Sequence, residues 1–148
     1  MITGISHMTF IVKDLEKATL FFTKIFNAKE IYSSGDETFS ISKEKYFFIN
    51  ELWICIMEGT PATQRTYNHI AFQIQESEIE LYLSRIKEVG VEIRPSRPRV
   101  AEEGQSIYFY DFDNHLFELH VGNLSERLAR YSQGKHNTTS PVTGDFHI

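Results

Sequence analysis

A segment of about fifty residues is repeated in this chain, and the repeat limits the possible folds more than any other feature. The first copy opens at Ile5–Phe10 and the second at Tyr67–Phe72, each with a histidine followed three residues later by phenylalanine. Each opening predicts a short strand, and helical spacing of apolar residues follows it. A unit of this size cannot bury both faces of a sheet, so the two copies are expected to fold together.

Capping residues predict the bounds of both helices. Asp14 is the expected N-cap of the first helix, and Asn27 is expected to end it. In the second copy, Ser77 and Glu80 form a candidate capping box and Gly90 provides a stop signal. The strands predicted after the helices are Glu30–Ser33, Thr38–Ile41, Tyr46–Ile49 and Leu52–Met57 in the first copy, and Val91–Arg94, Ser106–Asp111 and Leu116–Val121 in the second. The sequence therefore predicts an α+β fold in which two βαβββ modules form a curved mixed sheet.

The predicted domain covers residues 1–131, with module one at 1–58 and module two at 67–122. Residues 132–148 are rich in Gly, Asn, Thr and Ser and are predicted to be a polar C-terminal tail. The net charge of −5 argues against nucleic-acid binding. The apolar runs are too short to span a bilayer, and the single cysteine, Cys55, fits a reducing compartment. We therefore expect a cytoplasmic protein.

Three residues form a candidate metal site. His7 and His69 occupy equivalent places in the two copies, and their imidazoles would converge on a pseudo-twofold axis. Glu118 lies in an otherwise apolar strand, where a carboxylate is costly unless it is paired or coordinated. A lone histidine in a strand is more often structural, but its recurrence at matched positions favours a ligand. Two imidazoles and one carboxylate suit Mn, Fe, Zn or Ni and leave coordination positions open.

The two openings and the closing block Ser106–Gly122 resemble the vicinal oxygen chelate superfamily of glyoxalases, bleomycin resistance proteins and dioxygenases. With the continuation Asn123–Leu128, the ending is similar to that of the fosfomycin resistance proteins. The resemblance covers residues 1–130. It implies a homodimer whose modules pair between subunits, with His7 of one subunit across from His69 and Glu118 of the other. It also implies a divalent metal, Mn(II), that polarises the oxirane of fosfomycin, a small epoxide phosphonate.

The resemblance further implies the hydrolase branch of these proteins, whose distinguishing glutamate is matched by Glu44. In that branch Glu44 would be the general base for water attacking C1 of the oxirane, although in isolation it would be interpreted as a solvated charge. Thr9 shares a strand face with His7, and its hydroxyl is expected to donate a hydrogen bond to the oxirane oxygen. The residues matched to phosphonate binding are Arg127 and Tyr108, followed by Arg94 and then by Arg97 and Ser106.

Three alternatives stay open at this point. The same fold could transfer glutathione or another small thiol to fosfomycin, but residues 97–104 do not clearly match the potassium-binding loop of the glutathione-transferring branch. Two histidines and a carboxylate also make the open iron site of ring-cleaving dioxygenases, which are usually longer chains. A drug-binding protein without activity would leave fosfomycin unchanged. The product formed without thiol separates these possibilities.

Overall fold

A computed structural model of the chain describes residues 1–95 and 105–134. Two modules of the predicted kind follow one another along the chain, and a C-terminal helix follows the second. The elements are β1 (His7–Val12), α1 (Leu15–Phe26), β2 (Lys29–Ser33), β3 (Glu44–Ile49), β4 (Leu52–Glu58), β5 (His69–Gln73), a 3₁₀ turn (Glu76–Glu78), α2 (Ile79–Val89), β6 (Ile93–Arg94), β7 (Ser106–Tyr110), β8 (Leu116–His120) and α3 (Leu124–Gly134).

Each module builds its own four-stranded mixed sheet. The strand orders are β1-β4-β3-β2 and β5-β8-β7-β6, so the two modules share one topology. The first strand of each module is parallel to the last, and the other neighbours are antiparallel. The predicted α+β fold with two βαβββ modules is therefore confirmed. Within the described residues no strand pairing joins the two sheets, so one chain contributes two sheets and not one continuous sheet.

The ends of α1 follow the predicted signals. The carboxylate of Asp14 accepts hydrogen bonds from the backbone N–H groups of Glu16 and Lys17 at 2.9 and 3.0 Å, which satisfies two donors that the helix itself leaves unpaired. Asn27 ends the helix in the left-handed conformation with φ of 53°, which asparagine tolerates better than most residues.

The capping box predicted for α2 was wrong by two residues. Gln75 and Glu78 form it, because a 3₁₀ turn precedes the helix, and Ser77 and Glu80 do not. Gly90 ends α2 with φ of 81°, as predicted.

One other local prediction needs correction. The strand predicted at Thr38–Ile41 was wrong: residues 39–42 are bends, and Phe39 and Ile41 are exposed, so their apolar spacing does not mark a buried face. Helix α3 reaches Gly134 and so passes the expected start of the tail at residue 132. The rest of that tail, residues 135–148, and Arg97 lie outside the described residues.

Aromatic rings fill the core between the helices and the apolar faces of the sheets. Phe117 lies at its centre, with ring centroids of five other phenylalanines between 5.3 and 6.0 Å away. The fully buried rings are Phe21, Phe22, Phe47, Phe109 and Phe117. Because the core uses one face of each sheet, the opposite faces are left for polar side chains. None of the helices in the described residues combines the length and apolarity needed to cross a bilayer.

Candidate active site

Strand alternation separates the core from the candidate site. In β8, Phe117 and Leu119 are buried in the core cluster, and Glu118 projects to the opposite face, as predicted. In β1, Phe10 belongs to the core, and His7 and Thr9 are exposed on the other face. Each sheet therefore has one apolar face that packs in the core and one face that carries the candidate site residues.

The sheet of module two holds two predicted metal ligands side by side. His69 Nε2 lies 3.0 Å from Glu118 Oε2, and only 4% of Glu118 is exposed. Ser106 donates a hydrogen bond to Glu118 Oε1 at 2.5 Å, and His120 Nδ1 lies 3.3 Å from the same oxygen. Burial raises the pKa of Glu118, but the hydrogen bonds from Ser106 and Tyr108 and the neighbouring histidines outweigh it and lower the pKa below its usual value. The carboxylate is therefore ionised at neutral pH, as a metal ligand must be.

The orientation of the His69 ring tests whether this pair fits a metal. His69 Nδ1 lies 2.7 Å from the carbonyl oxygen of Tyr67, and a carbonyl can only accept, so Nδ1 carries a proton. In the neutral ring Nε2 then presents a lone pair to the Glu118 carboxylate. Two acceptors at this distance are stabilised only by a proton or a cation between them. A backbone carbonyl on the other ring nitrogen is also the usual support of a metal-bound histidine, so the pair fits.

The predicted phosphonate-binding residues surround this pair. Arg94 stands over the ring of Tyr67 at 5.2 Å, and Tyr67 donates a hydrogen bond to the hydroxyl of Tyr108 at 3.3 Å. Burial, the hydrogen bond with Tyr67 and the neighbouring Glu118 raise the pKa of Tyr108, which keeps its phenol protonated. On α3, Arg127 Nη2 lies 3.4 Å from His120 Nε2. The structure thus places Arg94, Tyr108 and Ser106 on the same sheet as Glu118, with Arg127 on α3 beside His120 of that sheet. The hydroxyl of Ser106 is hydrogen-bonded to Glu118 and His120.

The sheet of module one holds the predicted base. Only 5% of Glu44 is exposed, so its interpretation as a solvated charge is wrong. Tyr46 donates a hydrogen bond to Glu44 Oε1 at 2.9 Å, and the thiol of Cys55 donates to Oε2 at 3.8 Å. Thr9 pairs with Cys55 in the β1–β4 register, on the face that carries His7. The hydrogen bond with Glu44 is the main reason that the pKa of Tyr46 rises to about 12.

His7 stands apart from the other two predicted ligands. Its ring is exposed and lies 4.3 Å from the ring of Trp53, and its Nδ1 is 3.1 Å from Ser6 Oγ. In the parts of the chain that the structure describes, no group of three or more His, Cys, Asp or Glu side chains is placed to hold a metal. One chain therefore brings together His69 and Glu118, and the two histidines do not converge within it.

Sequence reasoning missed several neighbours of these groups. Tyr46 is two residues from Glu44, and this spacing places both on one strand face. Tyr67, which supports His69 and Tyr108, precedes the strand and gave no periodic signal. His115 Nδ1 lies 2.6 Å from Asp111 Oδ2 in the turn before β8.

Comparison with known proteins decides the family. Residues 4–119 match the model of the Glyoxalase/Bleomycin resistance protein/Dioxygenase superfamily. The fosfomycin resistance protein FosX of Listeria monocytogenes is 67% identical over 133 residues, which cover 90% of this chain and all of that protein. The chain belongs to the fosfomycin resistance proteins of this superfamily. FosX of Mesorhizobium japonicum is 53% identical and is 96% covered.

Solved structures of fosfomycin resistance proteins share the fold. A variant of Listeria monocytogenes FosX, complexed with Mn(II) and 1S,2S-dihydroxypropylphosphonic acid, matches with a TM-score of 0.80 and 64% identity, covering 88% of this chain and 99% of that one. The metallothiol transferase FosB of Shouchella clausii is 38% identical over 138 residues, covering 90% of each protein. The resemblance inferred from the sequence is therefore confirmed.

Proposed function

We propose that this chain is a metal-dependent epoxide hydrolase that inactivates fosfomycin by adding water to C1 of the oxirane. The observation that carries the proposal is the diol phosphonate bound with Mn(II) in the structure of Listeria monocytogenes FosX, a protein 64% identical to this chain. A vicinal diol is the product expected when water opens an epoxide. The same chemistry requires a base near the metal ligands, and this chain offers Glu44.

His69 and Glu118 of one chain, with His7 of a second copy, would hold the divalent metal, for which we propose Mn(II). When bound, the metal would act as a Lewis acid towards the oxirane and phosphonate oxygens. Neighbouring groups of the chain orient the proposed ligands: the Tyr67 carbonyl fixes the His69 tautomer, and Ser106 holds one oxygen of Glu118 by a hydrogen bond. These hydrogen bonds leave Oε2 of Glu118 and Nε2 of His69 facing each other, at the position proposed for the metal.

Glu44 would take the proton from the attacking water. A carboxylate bonded to one donor on each oxygen still has further acceptor sites for water. Thr9, on the same face as His7, would donate a hydrogen bond from its hydroxyl to the oxirane oxygen as the C–O bond breaks. Base and donor therefore come from module one, and two metal ligands come from module two.

The phosphonate is expected to bind beside Glu118. The guanidinium groups of Arg127 and Arg94 provide forked donors for a dianion. The phenol of Tyr108 stays protonated and would become a further donor once its O–H turns from Glu118 to the phosphonate. Ser106 is a weaker candidate, because its hydroxyl already contacts Glu118 and His120.

Division of the site between the two sheets supports a homodimer with shared active sites. The polar face of module one exposes His7 and Thr9, while Phe48 is 40% and Ile11 38% exposed. A second copy whose module two faces this surface would cover the apolar groups and complete the ligand set. We also propose that the domain comprises residues 1–131, with the polar tail beginning in the last turn of α3 at residue 132, and that the protein is cytoplasmic.

The test is phosphorus NMR of fosfomycin with Mn(II)-loaded protein and no thiol. We expect the signal of fosfomycin to be replaced by that of the diol phosphonate. Glu44→Gln is expected to abolish this conversion, and Glu37→Gln, which changes an exposed glutamate of the same module, is expected to retain it. An unchanged spectrum without thiol would contradict the proposal.

Thiol transfer is the second candidate, and the 38% identity to FosB of Shouchella clausii supports it. The two activities separate in the same NMR tube. Product that appears only after glutathione or another small thiol is added would favour the transferase. A protein that binds fosfomycin without converting it in either condition would be a drug-binding protein of this fold.

A further inference from the structure

The two oxygens of Glu44 each receive one hydrogen bond from a different strand. Tyr46 donates to Oε1 from β3 at 2.9 Å, and Cys55 donates to Oε2 from β4 at 3.8 Å. The backbone of Glu44 is held as well: its N–H donates to Ser34 Oγ at 3.0 Å, and its carbonyl accepts from Ser34 N–H at 3.0 Å. Both ends of the residue are therefore fixed.

This fixation matters because a free glutamate side chain samples many rotamers. A general base has to lie within hydrogen-bond reach of the water that it activates. A donor on each oxygen sets the plane of the carboxylate and leaves further acceptor sites. Thr9 pairs with Cys55 in the β1–β4 register, which places this pair beside the strand that carries His7.

Both donors keep their protons where an enzyme of this kind would work. Burial, followed by the charge of Glu44, raises the pKa of Cys55 to about 11. The hydrogen bond with Glu44 raises the pKa of Tyr46 to about 12. The phenol and the thiol therefore act as hydrogen-bond donors at neutral pH and do not compete with Glu44 as bases.

We propose that Tyr46 and Cys55 are positioning residues that orient the Glu44 carboxylate towards the attacking water. This inference rests on the proposed hydrolase function. In module one the proposed base, Glu44, is thus held by two hydrogen-bond donors, as Glu118 in module two is held by the hydroxyl of Ser106.

The kinetic test compares variants of the Mn(II)-loaded enzyme in fosfomycin hydrolysis. Tyr46→Phe is expected to lower kcat about tenfold with KM nearly unchanged, because the base is misplaced and the substrate contacts remain. Cys55→Ala is expected to lower kcat less, since a thiol is a weak donor, and Cys55→Ser is expected to restore it. Tyr32→Phe is the matched control: its ring lies 4.8 Å from that of Tyr46, and we expect wild-type kinetics.

A second measurement needs neither metal nor substrate. Cys55 is the only cysteine, so its thiolate can be titrated by ultraviolet absorbance as the difference from Cys55→Ala. Removing the charge of Glu44 in Glu44→Gln is expected to lower the pKa of Cys55 from about 11, because that charge raises it. Tyr32→Phe is expected to leave it unchanged.

The outcomes separate this inference from the function on which it rests. If wild-type protein forms the diol and Glu44→Gln does not, but Tyr46→Phe and Cys55→Ala both keep the wild-type kcat, the inference is overturned and the function stands. A rise in KM with kcat unchanged also overturns it. If wild-type protein forms no diol, the proposed function fails. The thiol titration then still tests the contact between Cys55 and Glu44, because an unchanged pKa of Cys55 in Glu44→Gln would overturn that contact.

Discussion

Mixing two inactive variants should restore activity if the active site is shared between chains. His7→Ala removes an exposed ligand from module one, and Glu118→Gln removes the carboxylate from module two without changing its size. Each variant alone is expected to be inactive in fosfomycin hydrolysis, because every site of its homodimer lacks one ligand.

The size of the recovery follows from the division of the site between the two sheets. In a heterodimer, one site combines His7→Ala with Glu118→Gln, and the other combines two intact faces. Random exchange of equal amounts makes about half of the dimers heterodimers, and one of their two sites is intact. The mixture should therefore reach about one quarter of wild-type activity per chain.

The assay unfolds the two variants together in denaturant, refolds them, loads Mn(II) and measures diol formation by phosphorus NMR. The control mixes His69→Ala with Glu118→Gln, two changes in the same sheet. Every site of that heterodimer is defective, so we expect no recovery. Light scattering checks that both mixtures contain dimers.

Two results would refute the reasoning. If the mixture of His7→Ala and Glu118→Gln stays inactive while both variants form dimers, the three ligands do not meet across chains. If the control mixture of His69→Ala and Glu118→Gln recovers as much activity, the recovery does not come from an active site shared between two chains.

Further changes test the packing and the buried thiol. Phe117→Ala, in a fully buried position, should lower the free energy of unfolding by roughly 3–5 kcal/mol in urea titrations. Asp14→Ala should lower it by about 1 kcal/mol in the same assay, because two N–H groups at the start of α1 lose their acceptor. Cys55, with its pKa raised to about 11 by burial and Glu44, should react with iodoacetamide at pH 8 much more slowly in the folded protein than in urea, and mass spectrometry measures the modified fraction. Equal rates would show that neither burial nor a raised pKa protects the thiol in the folded protein.

The repeat and the capping residues were sufficient to predict most of the fold. Asp14, Asn27 and Gly90 act through local backbone geometry, which a sequence shows directly. The strand predicted at Thr38–Ile41 failed because apolar residues at alternating positions are also compatible with an exposed loop. Alternating apolar residues predict a buried strand face only where another element of the structure covers that face.

The sequence points to the candidate site to the extent that it repeats. His7 and His69 were proposed as ligands because the two copies match, and Glu118 because a carboxylate in an apolar strand needs a partner. The supports of these groups were not predictable, because they depend on strand register. Tyr46 reaches Glu44 through a spacing of two, but the contact of Cys55 with the same carboxylate requires β4 to lie beside β3.

Strand register shows that the two modules are equivalent in position but not in chemistry. The residue two positions after each repeated histidine pairs with a residue on the last strand of its module. This strand partner is Cys55 in module one and Glu118 in module two. The first residue of the next-to-last strand is Glu44 in module one and Ser106 in module two. Module two therefore carries the carboxylate that we propose as a metal ligand, and module one carries the carboxylate that we propose as the base.

This asymmetry decides which faces have to meet. Two copies of module one facing each other would supply two His7 side chains and two Glu44 bases, but no ligand equivalent to Glu118. Two copies of module two would supply His69 and Glu118 twice and no base. Only a module-one face opposite a module-two face gives two imidazoles, one ligand carboxylate and one base. Since the two modules of one chain form separate sheets and His7 stands apart from Glu118, this pairing is expected between chains.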